Sequence, residues 1–155
     1  MTVRGSMVIP VMRGLADLLR SAPWPAVTDA HDIEFQLGAL AAVPERETVQ
    51  ILGRVPDSNQ TSTTFTATEE EFEIAVWLWT RVPHRTADEV LERLDRMQLT
   101  VAQAIRNEKG TPAVPESMKP GLISWRLGSF APDVWSSDAG SFGAGELRIR
   151  CRAHT

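Results

Sequence analysis

The sequence predicts an α+β fold of two layers: a mainly antiparallel four-stranded sheet, in the chain order α-β-β-α-β-β, with helices packed on one face. Three observations carry this expectation. Residues 71–82 alternate with apolar side chains on both sides in the middle, Phe72, Ile74, Val76 and Leu78 against Ala75, Trp77 and Trp79, as in a central strand covered on each face. Residues 147–153 alternate strictly, with Leu147, Ile149, Cys151 and Ala153 on one side and Arg148, Arg150 and Arg152 on the other. Between them, Val90, Leu94, Met97, Val101, Ala104 and Ile105 recur at helical spacing as one apolar stripe. With 155 residues, 43% apolar and 23% charged, the chain has the size and composition of one compact domain over 1–155.

Taken in order, the first helix is expected over about 9–21, where Val11, Leu15, Leu18, Leu19 and Ala22 share a face and Pro10 occupies a tolerated first-turn position. Pro23-Trp24-Pro25 stops it, because each proline disfavours helix in the residue before it. Residues 26–46 show little periodicity and read as a loop with a short extended piece around Ile33–Leu37. From Thr48 to Val55, Val49, Ile51, Gly53 and Val55 alternate with Gln50, Leu52 and Arg54, giving the first strand, closed by Pro56. Small polar residues dominate 57–68, the composition of a mobile loop spanning about 56–70. The strand Glu71–Val82 follows, and Pro83-His84-Arg85 breaks it. Thr86-Ala87-Asp88-Glu89 is a capping box that starts the second helix, which should last to about Asn107, before Gly110-Thr111-Pro112. Ile123, Trp125 and Leu127 alternate with Ser124, Arg126 and Gly128 as a third strand over 122–130, and a turn region from Asp133 to Gly145 leads to the closing arginine strand.

The net charge of −4 is unevenly spread: residues 28–73 hold ten acids against Arg46 and Arg54, a local −8, leaving +4 for the remainder. An acidic segment and a basic strand can complement each other between copies, although a solvated acidic loop gives the same balance. The single Cys151 excludes an intramolecular disulfide and lies on the apolar side of its strand, where a small buried core residue belongs. No apolar run approaches the roughly 20 residues that cross a bilayer, and Pro10, Arg13 and Asp17 interrupt any secretory signal, so the expected location is the cytosol, without membrane contact. Enzyme chemistry finds no residue set. There is no glycine-rich phosphate loop, no His-Glu-x-x-His pair and no paired cysteines; His31-Asp32 beside Asp29 reads as turn chemistry and Glu69-Glu70-Glu71 as a charged strand entrance. No catalytic residue, metal ligand or cofactor is expected.

If both helices cover the face bearing Ile74, Val76, Leu78, Leu147 and Ile149, the opposite face exposes Leu52, Trp77, Trp79, Arg148, Arg150 and Arg152. Tryptophan beside arginine is the composition of an interface hot spot, so these two tryptophans and three arginines form the candidate subunit interface. The arginines then need acceptors, and the acidic 28–73 segment of a neighbouring copy is a candidate by composition. Two alternatives stand beside this. The first helix could cover the second face and make the tryptophans core; or the arginine strand with its aromatics could bind nucleic acid, against which stands the acidic net charge.

The order of features resembles a known family. An opening helix like Val8–Leu19 ends in a proline-containing turn, and an acidic-to-hydrophobic strand like Glu70-Glu71-Phe72-Glu73-Ile74-Ala75-Val76 follows. Then come a helix like Ala87–Ile105, a glycine-rich turn like Gly140–Gly145 and a closing arginine strand like Leu147–Ala153. In this the chain is similar to the small tail terminator, or tail completion, proteins of long-tailed bacteriophages. It departs from them after the second helix, where Glu108-Lys109-Gly110 stands in place of a frequent leucine-glycine-glycine turn. The resemblance implies a structural virion protein of the tail and neck, assembled in the host cytoplasm. It implies a homo-oligomer, typically a hexameric ring, that caps the tail tube, terminates its polymerisation and offers a surface to the head-tail connector. DNA would pass through the lumen without specific binding. Asp57, Asn59, Gln60, Thr63 and Phe65 of the polar loop would then contact the tail tube protein or the connector. Another head-tail connector or a minor tail subunit is the nearest alternative role.

Overall fold

The computed structural model describes residues 6–25, 33–44, 46–54, 69–82, 86–107, 109–119, 121–137 and 140–154. Helix α1 (Val8–Arg20) is followed by strands β1 (Glu34–Leu37), β2 (Thr48–Arg54) and β3 (Glu69–Val82). Helix α2 (Ala87–Ala104), a 3-10 turn at Glu116–Met118, and strands β4 (Leu122–Ser137) and β5 (Gly140–His154) complete the chain. The fold is α+β, but the sheet differs from the expectation of four mainly antiparallel strands. It has five strands in the order β1-β2-β3-β5-β4, and β1 runs parallel to β2 while the other pairs are antiparallel.

The extra strand is the extended piece anticipated near Ile33–Leu37, which the sheet recruits as an edge. Glu34 N donates to Glu47 O at 3.0 Å and Gly38 N to Ile51 O at 3.0 Å, so β2 supplies the pattern that four residues alone do not display. The second correction concerns Asp133–Gly145. Most of that segment is not a turn: β4 continues to Ser137 and β5 begins at Gly140, making a long hairpin. Gly143 and Gly145 reflect close packing. A Cβ at Gly143 would lie 2.5 Å from Val90 Cγ1 and 2.8 Å from Leu94 Cδ1, and one at Gly145 would strike the ring of Phe130. Pro132 is tolerated because β4 is an edge strand whose free side needs no donor.

Both helices lie on one side of the sheet. Gly53, paired with Ile74, faces Val8 and Met12 of α1, and Gly143, paired with Thr80, faces Val90 and Leu94 of α2. The alternative that α1 covers the second face is therefore not what forms. Between the layers, Leu15 and Leu19 of α1, Leu94, Met97 and Val101 of α2, and Ile51, Ile74, Leu78, Leu147 and Ile149 of the sheet are fully buried. Polar contacts fix the helix ends. Thr86 Oγ1 accepts from Glu89 N at 3.3 Å, as the capping box predicts. Helix α1 has no cap from its own N-cap side chain; instead the Glu70 carboxylate of β3 accepts from Met7 N at 2.5 Å and Ser6 Oγ at 3.1 Å, a negative charge at the positive end of the helix. Near the same end of the sheet, on edge strand β4, Trp125 Nε1 donates to Ile105 O at 3.2 Å and to Ala113 O at 3.0 Å, tying the end of α2 and the chain beyond it to β4.

Cys151 is buried in this core, and burial pushes its thiol pKa up to about 12. At pH 8 the reactive thiolate is therefore almost absent in the folded protein. Iodoacetamide is expected to modify Cys151 only at the rate at which the protein unfolds; labelling of the native protein as fast as a free thiol would contradict this placement.

Candidate interaction face

The sheet face turned away from both helices carries the alternate residues of each strand, and the register divides it into two ends. At the end where β3 begins, the pairings Glu69–His154, Glu71–Arg152, Glu73–Arg150 and Ala75–Arg148 set an acidic stripe beside the arginine stripe of β5. Like charges two apart on one strand repel, so the arginines need this answer. Arg152 places Nε at 2.8 Å and an Nη at 2.5 Å from the same Glu69 oxygen. Arg150 Nε lies 3.4 Å from Glu73, and Arg148 reaches Glu73 at 3.7 Å and also bonds Glu146. The bond and charge of Glu146 hold the Arg148 guanidinium even more firmly protonated than usual. Glu69 and Glu73 come from the acidic 28–73 segment, as its composition suggests, but from the same chain, and Glu146 of β5 itself adds a further acceptor for Arg148. Solvent screens such surface pairs, so they add little to stability. Their consequence is a neutralised stripe, on which a nucleic-acid phosphate would have to displace carboxylates already in place.

The other end is aromatic. Trp77 and Trp79 of β3 are half-buried and stack on each other, with ring centroids 5.9 Å apart. Trp79 Nε1 donates to Gln50 Oε1 at 3.2 Å, and Gln50 Nε2 donates in turn to Gly38 O at 3.0 Å, so the indole is held from the β1 end of the sheet. Next to them a second cluster continues across the sheet, where Arg81, Phe142 and Trp135 lie side by side on β3, β5 and β4. Trp135 and Phe142 stack at 6.0 Å, almost parallel, and the Arg81 guanidinium carbon sits 5.1 Å from the Phe142 centroid. Arg81 Nε is buried without a hydrogen-bond partner.

The structure therefore brings Trp77, Trp79, Arg148, Arg150 and Arg152 onto one face, with the tryptophans and arginines at opposite ends of it. Trp135 and Phe142 were missed by sequence reasoning because the glycines around Phe142 suggested a turn, whereas Arg81 shares the alternation of Trp77 and Trp79 but was not counted with the interface residues. The alternation of Phe142, Ala144, Glu146 and Arg148, continuous with the arginine strand, is the signal that would have found them. Asp57, Asn59, Gln60, Thr63 and Phe65, like Asp29, His31, Asp32 and His84, lie outside the described residues. Among the described residues no group of three or more His, Cys, Asp or Glu is placed to hold a metal ion, and no helix is long and apolar enough to cross a membrane. No protein-family model and no curated protein matches the chain.

Proposed function

We propose that this chain is a self-assembling structural subunit that closes the end of a bacteriophage tail tube as a ring, stops tube growth and presents a surface for head joining. The observation that supports assembly is the aromatic end of the outer sheet face, where Trp77, Trp79, Phe142 and Trp135 gather beside Arg81 and Trp135 remains 38% exposed. Tryptophan and arginine dominate the energetic centres of protein interfaces, and clustered aromatics on a free surface cost solubility unless a partner covers them. The likeness of the chain to tail terminator proteins supplies the tube, the connector and the hexameric ring. Because the arginine stripe is neutralised within the chain, the contact between copies is assigned to the aromatic end rather than to Arg148, Arg150 and Arg152.

Light scattering across a wide concentration range, with and without tail tube protein, tests this reading, together with negative-stain images of the purified protein. The expected result is a closed ring, of about six copies if the likeness holds, that binds the end of the tube and arrests its elongation. A monomer at every concentration, with tube present or absent, overturns it. A ring that joins the head connector but leaves tube growth unchecked favours the connector or minor tail role instead.

A further inference from the structure

We propose that the aromatic end of the outer sheet face receives the outward side of α2 from a second copy of this chain, so that successive copies join head to tail through opposite sides of the two-layer fold. The inference rests on the assembly reading above and names the surfaces that meet. The outward side of α2 is unlike that of an ordinary solvated helix. While Val90, Leu94, Met97 and Val101 are fully buried against the sheet, Leu91 stays 41% exposed on the flank of the helix and Leu99 46% exposed on its outward side. Asp88 and Asp95 flank them and make no ion pair among the described residues, whereas neighbouring Glu92 is already held by Arg96 at 2.9 Å. On the sheet, Arg81 likewise has no carboxylate among the described residues, and its Nε is removed from water without an acceptor.

The two surfaces are complementary in both respects. Leucines two turns apart present an apolar strip to aromatic rings, and unanswered aspartates meet an unanswered arginine, whose buried Nε gains most from a charged acceptor. Their dimensions also agree. Eight residues of helix advance about 12 Å, and three adjacent strands, β3, β5 and β4, span roughly 10 Å. A symmetric sheet-to-sheet pairing would bring two unanswered Arg81 side chains together, and a symmetric helix-to-helix pairing would do the same for the aspartates. The contact between unlike faces avoids both, and repetition of such a contact generates a ring when the rotation per copy closes.

Charge reversal with rescue tests this arrangement. Asp95→Arg and Arg81→Glu are each expected to weaken assembly at least tenfold by light scattering, with the double variant returning to within about threefold of the parent. Because Arg81 is partly buried and its variant can fail to fold, a second measurement uses Gln103→Cys and Asp133→Cys, at exposed positions bordering the two surfaces. A short bismaleimide should link the two variants when mixed and neither one alone, the native Cys151 being buried. Unchanged assembly of Asp95→Arg, or crosslinks within either variant alone, overturns the proposed contact while leaving ring formation intact. Loss of assembly in the unsubstituted protein overturns the functional reading itself.

Discussion

Arg93→Ala is expected to destabilise the fold by about 3–5 kcal/mol, the cost of leaving a buried carboxylate without its cation. Arg93 of α2 grips Glu47 with two donors, Nε to Oε2 at 2.7 Å and an Nη to Oε1 at 2.6 Å, and the two side chains are only 13% and 7% exposed. Thr80 Oγ1 donates to Glu47 at 2.8 Å, and the Arg93 Nη also reaches Pro25 O at 3.1 Å. One ion pair thus joins α2, the residue leading into β2, the central strand and the chain beyond α1. Without the guanidinium, Thr80 would be left donating to a charge in a poor dielectric. Urea denaturation at pH 7 measures the loss, and Arg96→Ala serves as the comparison, since its exposed pair with Glu92 contributes about 0–1 kcal/mol. Replacing both Arg93 and Glu47 with apolar residues should recover most of the stability, because the desolvation of both charges then disappears. An effect of Arg93→Ala below about 1 kcal/mol would mean that water screens the pair as on an open surface.

Glu47 and Arg93 also mark the limit of sequence reading, since nothing in their local patterns joins residues so far apart in the chain. Local periodicity is what made the rest legible. The two-sided alternation of β3, the one-sided alternation of β5 and the stripe of α2 each reflect burial along a single element, so they survive without knowledge of the fold. Edge strand β1 has no such pattern: its four residues are mostly exposed, and its existence depends on hydrogen bonds offered by β2. Register lies equally beyond the sequence. The acidic run Glu69–Glu73 and the arginine strand were both visible, but only the pairing of Glu73 with Arg150 and Glu71 with Arg152 makes one the answer to the other. A slip of two residues would leave the alternation unchanged and alter every ion pair on the face.

The glycine pattern of β5 leads to the second large effect. Gly143→Ala is expected to cost about 1–3 kcal/mol, although alanine is the smallest possible side chain, because the added methyl enters occupied space. Its Cβ would sit 2.5 Å from Val90 Cγ1 and 2.8 Å from Leu94 Cδ1, where the first turns of α2 rest on the sheet. Both neighbours are fully buried, so neither can swing into solvent; the helix must lift or the strand must bend. Leu94→Ala alone should cost about 2–5 kcal/mol through the cavity it leaves. Together the two substitutions place a methyl group beside the vacated space, so the double variant should be more stable than the sum of the single effects by about 0.5–3 kcal/mol. Chemical denaturation of the four proteins in one cycle measures this coupling. Strict additivity would mean that the helix does not rest on Gly143, and with it would go the explanation of why a segment that reads as a glycine turn is instead the strand on which α2 lies.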